Sequence, residues 1–335
     1  MATAGPDVSP HPQPRAAKEL AMKMMKTLLT SAGIALAASL ALTGCGSAGT
    51  AGGEDELTIG ISMSTLENPF FGTVKDGAVA AADEDGIRTI VSDAQNDTQK
   101  QLNDVQDMIT KGAEVIVLNP VEPESATPIV ELANSNDIPV ITVDRSSAGG
   151  EVASHIASDN VEGGRLICEW LGQHLDGAGE LAILEGIAGT SPELDRDEGC
   201  TEALAAYPEI TVVASQPADW DREKGYTVTQ NVLQANPDLT AIFGRNDLAA
   251  LGAVEAAQQA GKLDDITVIS FDGIQDALES IKAGQLSATV VQDPILMGET
   301  AVETAIALSN GEQVEKIQDL PVKVADASNI DEFLG

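Results

Sequence analysis

From residue 57 onward, short β-rich runs alternate with helical stretches, and this alternation constrains the fold more than any other feature of the chain. Strand-like runs fall at 57–63, 88–92, 114–118, 140–143, 180–184, 211–215, 241–243 and 267–271, with helical sequence between them. The first helix is expected at 70–84, entered through Asn68-Pro69 in cap positions. A strand followed by a helix and another strand, repeated along a chain, closes into parallel sheets with helices on both faces. There are too many strands here for one small doubly wound sheet. The pattern also restarts, past Ala157-Ser158-Asp159, with a helix at 161–175. Late in the chain a strand at 287–292, a helix at 294–308 and a strand at 322–325 suggest a return between two bodies. The expectation is an α/β fold of two Rossmann-like, doubly wound parallel-sheet lobes. One lobe is assigned 57–158 plus 293–321, the other 159–292 plus 322–335. Open α/β sheets bind ligands outside the carboxyl ends of their strands, so two such lobes facing each other make a cleft.

The residues ahead of the alternation read as processing signals. Residues 1–21 carry no periodicity and look like sequence upstream of the natural start, with Met22, Met24 or Met25 a better beginning. Lys23 and Lys26 then give a positive n-region, and 28–42 an apolar h-region too short for a comfortable membrane span. Leu42-Thr43-Gly44-Cys45 has the form of a lipobox, in which the Cys45 thiol accepts a diacylglycerol thioether. The leader is therefore 1–44, and 45–56, rich in Gly, Ser and Thr, is a flexible tether. The expected product is an extracytoplasmic protein held by a lipid anchor to the outer face of the cell membrane, or in the periplasm of a Gram-negative cell.

Charge and composition exclude several classes. The net charge of −35 repels nucleic acid and anionic headgroups. That acidity reads either as a solvated surface or as adaptation to high salt. Two cysteines remain beyond the leader, Cys168 and Cys200, and two readings of them stand: a disulfide or a pair of buried free thiols. Neither has a His at metal-ligand spacing, so no metal and no cofactor are expected. No phosphate-binding Gly-Lys-Ser/Thr loop, no Gly-x-Ser-x-Gly elbow and no His in a candidate triad occur, so the chain is not read as an enzyme.

Polar and aromatic residues gather just after the predicted strands. They include Ser64, Asn68, Phe70 and Phe71, then Asp144-Arg145, then Gly186 to Ser191 with Arg196 beyond it. Asp219-Trp220-Asp221-Arg222, Asn246-Asp247, Phe271-Asp272-Gly273 and Gln292-Asp293 follow. This composition suits a small sugar. Each hydroxyl both donates and accepts, Asp, Asn, Gln and Arg supply partners in fixed geometry, and C–H faces stack on flat rings. Bland readings exist for each residue alone. Phe71 reads as a core helix residue, and Phe70 beside it cannot share its face, so at least one ring is expected to point elsewhere than into the core. Asp144 reads as a strand end, and Arg196 as a surface partner of Asp195 or Glu198. Recurrence at one strand end after another favours a site.

These same strings carry a resemblance. Ser64 to Phe71, Ile138 to Arg145, Ser154 to Asn160, Gly186 to Ser191, Ala214 to Arg222 and Phe271-Asp272-Gly273 are similar to the ribose-binding proteins of bacterial ABC importers, within the type I periplasmic binding proteins and the LacI-like sugar-binding family. The resemblance spans about 57 to 325. It implies a sugar site made by Ser64, Asn68, Phe70, Phe71, Asp144 and Arg145 from one lobe and Arg196, Trp220, Asn246, Phe271 and Asp272 from the other. Gln292 would lie at a hinge of three strands, near Ser158, Gln292 and Pro321. Trp220 stands where the family pattern has Phe, and Arg245 and Cys200 also depart from it, at positions next to the site or behind it. The implied partners are ribose, an ABC permease and its ATPase, with the protein a monomer that touches membrane only through its anchor. Other pentoses, allose, a furanose signal or a purely sensory role are the alternatives. A glycosidase using Asp144 and Asp272, and a DNA-binding regulator, are weaker readings, since arginines flank the acids and a lipobox leader stands where a helix-turn-helix would be. A calcium site at Asp93 to Asp97 lacks the Gly and distal Glu of an EF-type loop.

Overall fold

The computed structural model describes residues 57–334; the lipobox with Cys45, the leader and the tether lie outside the described residues. Two six-stranded sheets form the frame, each flanked by helices. The first lobe runs β1 (Thr58–Met63), α1 (Pro69–Glu84), β2 (Arg88–Asp93), α2 (Thr98–Thr110), β3 (Val115–Leu118), α3 (Pro123–Asn134), β4 (Val140–Val143) and β5 (Val152–Ser158). The second runs α4 (Asn160–His174), β6 (Ala178–Glu185), α5 (Ser191–Leu204), β7 (Glu209–Pro217), α6 (Arg222–Ala235), β8 (Ala241–Gly244), α7 (Asp247–Gln259), β9 (Thr267–Asp272), α8 (Gln275–Lys282) and β10 (Ala288–Val291). The chain then returns through α9 (Pro294–Ser309) and β11 (Ile317–Leu320) before ending near β12 (Lys323–Asp326).

The sheet orders are β11-β5-β4-β3-β1-β2 and β12-β10-β9-β8-β6-β7, so the second repeats the first strand for strand. All pairings are parallel except β12 on β10. Central strands such as β3 (VIVL) and β4 (VITV) are buried along their length, as parallel strands covered on both faces must be. The polypeptide passes between the sheets three times: after β5, after β10 and after β11. Asp159 N–H donates to the Leu320 carbonyl at 2.8 Å and ties the first passage to the third.

Helix starts follow their sequence signals. Asn68, Asp97, Asp159, Asp221, Asn246 and Asp293 each accept a main-chain N–H from the first turn of the helix they precede. The eight strands expected before residue 272 are present, with bounds shifted by a residue or two. Two strands are additional. β5 (VASHIAS) carries Ser154, His155 and Ser158, which mask its alternation, and β11 (IQDL) is a largely exposed edge strand. Pairing supplies what their sequences lack: Ile317 to Leu320 align with His155 to Ser158, and Thr142 Oγ1 meets His155 Nδ1 at 2.9 Å.

Cys168 and Cys200 form a disulfide joining α4 to α5. The same two helices meet through Gly164 and Gly199, where a Cβ would run into main-chain atoms of Arg196 and Val161. Glycine is required there because the helix backbones approach so closely. Among the described residues no helix is long and apolar enough to cross a membrane.

Candidate functional site: a charged cavity between the lobes

The carboxyl ends of both sheets converge on one cavity, partly open to solvent. Asn68, Phe70, Phe71, Asp144 and Arg145 line it from the first lobe, and Pro192, Arg196, Trp220, Asn246 and Asp272 from the second. The lobes touch beside it, where Ser146 N–H donates to Ser191 Oγ at 3.0 Å. Outside Arg145 and Trp220 the cleft widens into a mouth lined by Glu67, Asp219, Asp221 and Arg222, among others.

Both phenylalanines line the cavity. They occupy the first turn of α1, where side chains lean past the helix end toward its N-terminus. Their rings meet edge to face at 5.5 Å and are both buried. Asp144 ends β4 with φ +62°, a left-handed conformation that turns its carboxylate and the following Arg145 toward the cavity. Arg145 is fixed by main chain: Nη1 donates to the carbonyls of Pro120 and Val121 at 3.2 and 3.1 Å, and its guanidinium lies 5.1 Å from the Phe71 ring.

Arg196 is not a surface partner of Asp195 or Glu198. It is 3% exposed, and its Nε donates to Asn160 Oδ1 at 2.8 Å while Nη1 donates to the Arg245 carbonyl at 2.6 Å. Its guanidinium lies 3.7 Å from the centre of the Phe271 ring and 5.4 Å from that of Trp220. Nη1 also stands 3.5 Å from Asp272 Oδ1. Asn246 caps α7 and sends its amide to the Trp220 carbonyl at 3.3 Å. Trp220 and Asp272 both have positive φ, +63° and +131°, which is where backbone strain at ligand clamps tends to collect.

Nine of the twelve residues expected at the site therefore surround one space. Ser64, Phe271 and Gln292 do not line it. Ser64 is fully buried and its hydroxyl donates to Asn119 Oδ1 at 2.6 Å. Phe271 is fully buried as the platform under Arg196. Gln292 donates to Asp272 Oδ1 at 2.8 Å and orients that carboxylate from behind. Three residues with comparable roles are outside the expected set, and Arg245 stands in it only as a departure from the family pattern next to the site or behind it. Pro192 lines the wall, Asn160 and Arg245 hold Arg196, and Asn119 binds Ser64 on one side and donates to the Val143 carbonyl at 3.0 Å on the other. Asn119 had a signal available, because it ends β3 as Asp144 ends β4.

The electrostatics are those of four buried charges that balance. Burial pushes the carboxyls of Asp144 and Asp272 above the usual carboxylate range, opposed by Arg145 and Arg196 at Asp144 and by Arg196 at Asp272. Burial likewise lowers Arg145 and Arg196, opposed by the same acids. Charges kept out of water hold only when paired and hydrogen-bonded. This wall thus offers donors and acceptors in fixed directions with aromatic surface between them.

Comparison with known proteins agrees with this architecture. The family model described as a periplasmic binding protein domain matches residues 59–313. The ribose import binding protein of Haemophilus influenzae is 43% identical over 286 residues, covering 85% of this chain and 96% of that protein. That of Bacillus subtilis is 44% identical, covering 82% and 88% respectively. An ABC transporter solute-binding protein of Bacillus halodurans, solved with bound myo-inositol, superposes with a TM-score of 0.80 at 32% identity, covering 84% of this chain and 99% of that one. These relatives are named as binding proteins of transporters, not as enzymes. The chain belongs to the periplasmic binding protein family.

Proposed function

We propose that this chain captures a small sugar, ribose first among candidates, in the inter-lobe cavity and presents it in the closed state to an ABC permease and its ATPase. The observation that supports this most is the convergence of two Arg–Asp sets, one from each lobe, on a single space between the lobes with aromatic walls. Sugar hydroxyls donate to carboxylates and accept from guanidinium and amide groups at once, and hydrogen bonds to charged groups contribute about 1.5–3 kcal/mol each. Ribose leads because the two ribose import binding proteins share over two-fifths of their residues with this chain. Another pentose, allose or a furanose remains the alternative occupant.

Closure follows from linkage. A ligand that touches both lobes at once binds the closed arrangement more tightly than the open one, and shifts the population by that difference in affinity. The three passages between the sheets are the natural hinge. The ligand-binding set proposed is the nine cavity residues with Pro192, supported by Ser64, Phe271 and Gln292. Anchoring through a lipid on Cys45 and action as a monomer belong to the same proposal. Titrating the soluble form with ribose, xylose, allose and glucose in a calorimeter tests the ligand. Saturable heat with ribose at one site per chain is expected, and silence with ribose beside saturation by another sugar would refute the ribose assignment.

A further inference from the structure

The geometry points to Arg245 as a positioning residue for sugar binding: it touches no part of the cavity, yet it sets the placement of Arg196 on one side and of the loop after β6 on the other. The inference rests on reading the cavity as the sugar site. Arg245 follows β8 and is 1% exposed, among the described residues the largest side chain buried so completely. It lines neither the cavity nor its mouth. Its guanidinium grips α5 at two places. Nη1 donates to the Glu193 carbonyl at 3.0 Å and to Glu193 Oε1 at 2.8 Å, and Nη2 pairs with Asp197. Those residues bracket Arg196 on the same helix, one turn before it and one position after it. The Arg245 carbonyl meanwhile accepts from Arg196 Nη1 at 2.6 Å. One residue therefore fixes both the helix that carries Arg196 and the direction of its side chain.

The second route runs through Glu193. Its other oxygen, Oε2, accepts from the Gly186 N–H at 2.7 Å, so the loop after β6 is tied to the same cation. The Trp220 ring packs against Gly186, where a Cβ would overlap it. Arg245 thus reaches Arg196 through its own carbonyl and its grip on α5, and Trp220 through the Glu193 carboxylate. A forked guanidinium can hold two carboxylates and a carbonyl in fixed directions, whereas an ammonium or a neutral side chain cannot.

Three variants measured beside the wild type test this: Arg245→Met, Arg245→Lys and the charge-balanced double variant Arg245→Met/Glu193→Gln. Each is titrated with the sugar that the wild type binds, and melted. Arg245→Met is expected to weaken binding by about thirtyfold or more and to lower Tm, because Glu193 is left buried without its cation. The double variant should recover most of the melting temperature and stay weak, while Arg245→Lys should melt near wild type and bind with intermediate affinity. Recovery of wild-type affinity together with Tm in the double variant would show a purely structural role and overturn the inference. So would wild-type affinity in Arg245→Lys. A wild type that binds none of the sugars would instead strike down the sugar reading, and the inference would fall with it.

Discussion

The two lobes are copies of one strand order that hold their share of the cavity by different means. In the first lobe Arg145 rests on two main-chain carbonyls, and Asn119 laces the ends of β1, β3 and β4. In the second, Arg196 rests on an Asn side chain, one carbonyl and an aromatic ring, and its helix is stapled by a disulfide and a buried arginine. Main chain positions a cation as a by-product of the sheet itself. Side chains can do so only when something else fixes their own elements, and the second lobe carries the extra fastenings accordingly.

The largest effects should come from cutting the cavity charges. Asp144→Ala in the first lobe or Arg196→Ala in the second should each abolish measurable ribose binding, since truncating one member of a buried charge set costs about 2–5 kcal/mol or more. Circular dichroism should show both variants folded; retained affinity in either would remove that lobe from the account. Next is the staple. Replacing Cys168 and Cys200 together by Ser should destabilise the protein by about 2–4 kcal/mol, as expected for a loop of this length. Hydrogen exchange should locate the loss in α4 and α5 and leave the first lobe protected, whereas uniform loss would contradict the lobe contrast. Asn119→Ala should act on the first lobe alone, weakening binding by about tenfold through loosened strand ends, in line with one buried hydrogen-bonded side chain. Unchanged affinity there would mean that the sheet suffices without it.

The smallest effect concerns pH. Asp247, fully buried against Ser270, Thr289 and the Ile274 N–H, has its carboxyl pushed up to about 6 by burial. The folded chain then binds that proton more tightly than the unfolded chain does. Its contribution to stability is fully present below the ordinary carboxylate range and is lost as the pH rises through about 6. A modest rise in Tm between about pH 7 and 5 is expected, and Asp247→Asn should reduce it. Sugar affinity should move the opposite way. Asp144 and Asp272, raised by burial, lose their charge as pH falls, and with it their strongest acceptor capacity.

Much of this was readable along the chain because it is local. Alternating β-rich and helical runs specify two parallel sheets, and ligands of such sheets lie at strand ends, so Asp144, Trp220, Asn246 and Asp272 could be picked out by position alone. β5 was masked because its polar residues are satisfied only by tertiary partners: Ser154 donates to the Glu315 carbonyl at 2.7 Å, and His155 meets Thr142. Asn160 escaped notice for the same reason, and Arg245, expected only next to the site or behind it, could not be given its contacts. Their roles consist of contacts 36 and 49 residues away in sequence, which no periodicity encodes. Ser64, Phe271 and Gln292 were placed at the right strand ends, but whether a side chain faces the cavity or the wall behind it is decided by packing.

The most direct test of the account is a crystal structure of the protein grown with ribose. It should show one sugar enclosed between the lobes, its hydroxyls shared between Asp144 and Arg145 on one side and Arg196 and Asp272 on the other. Ribose held by one lobe alone, or found outside this cavity, would contradict it.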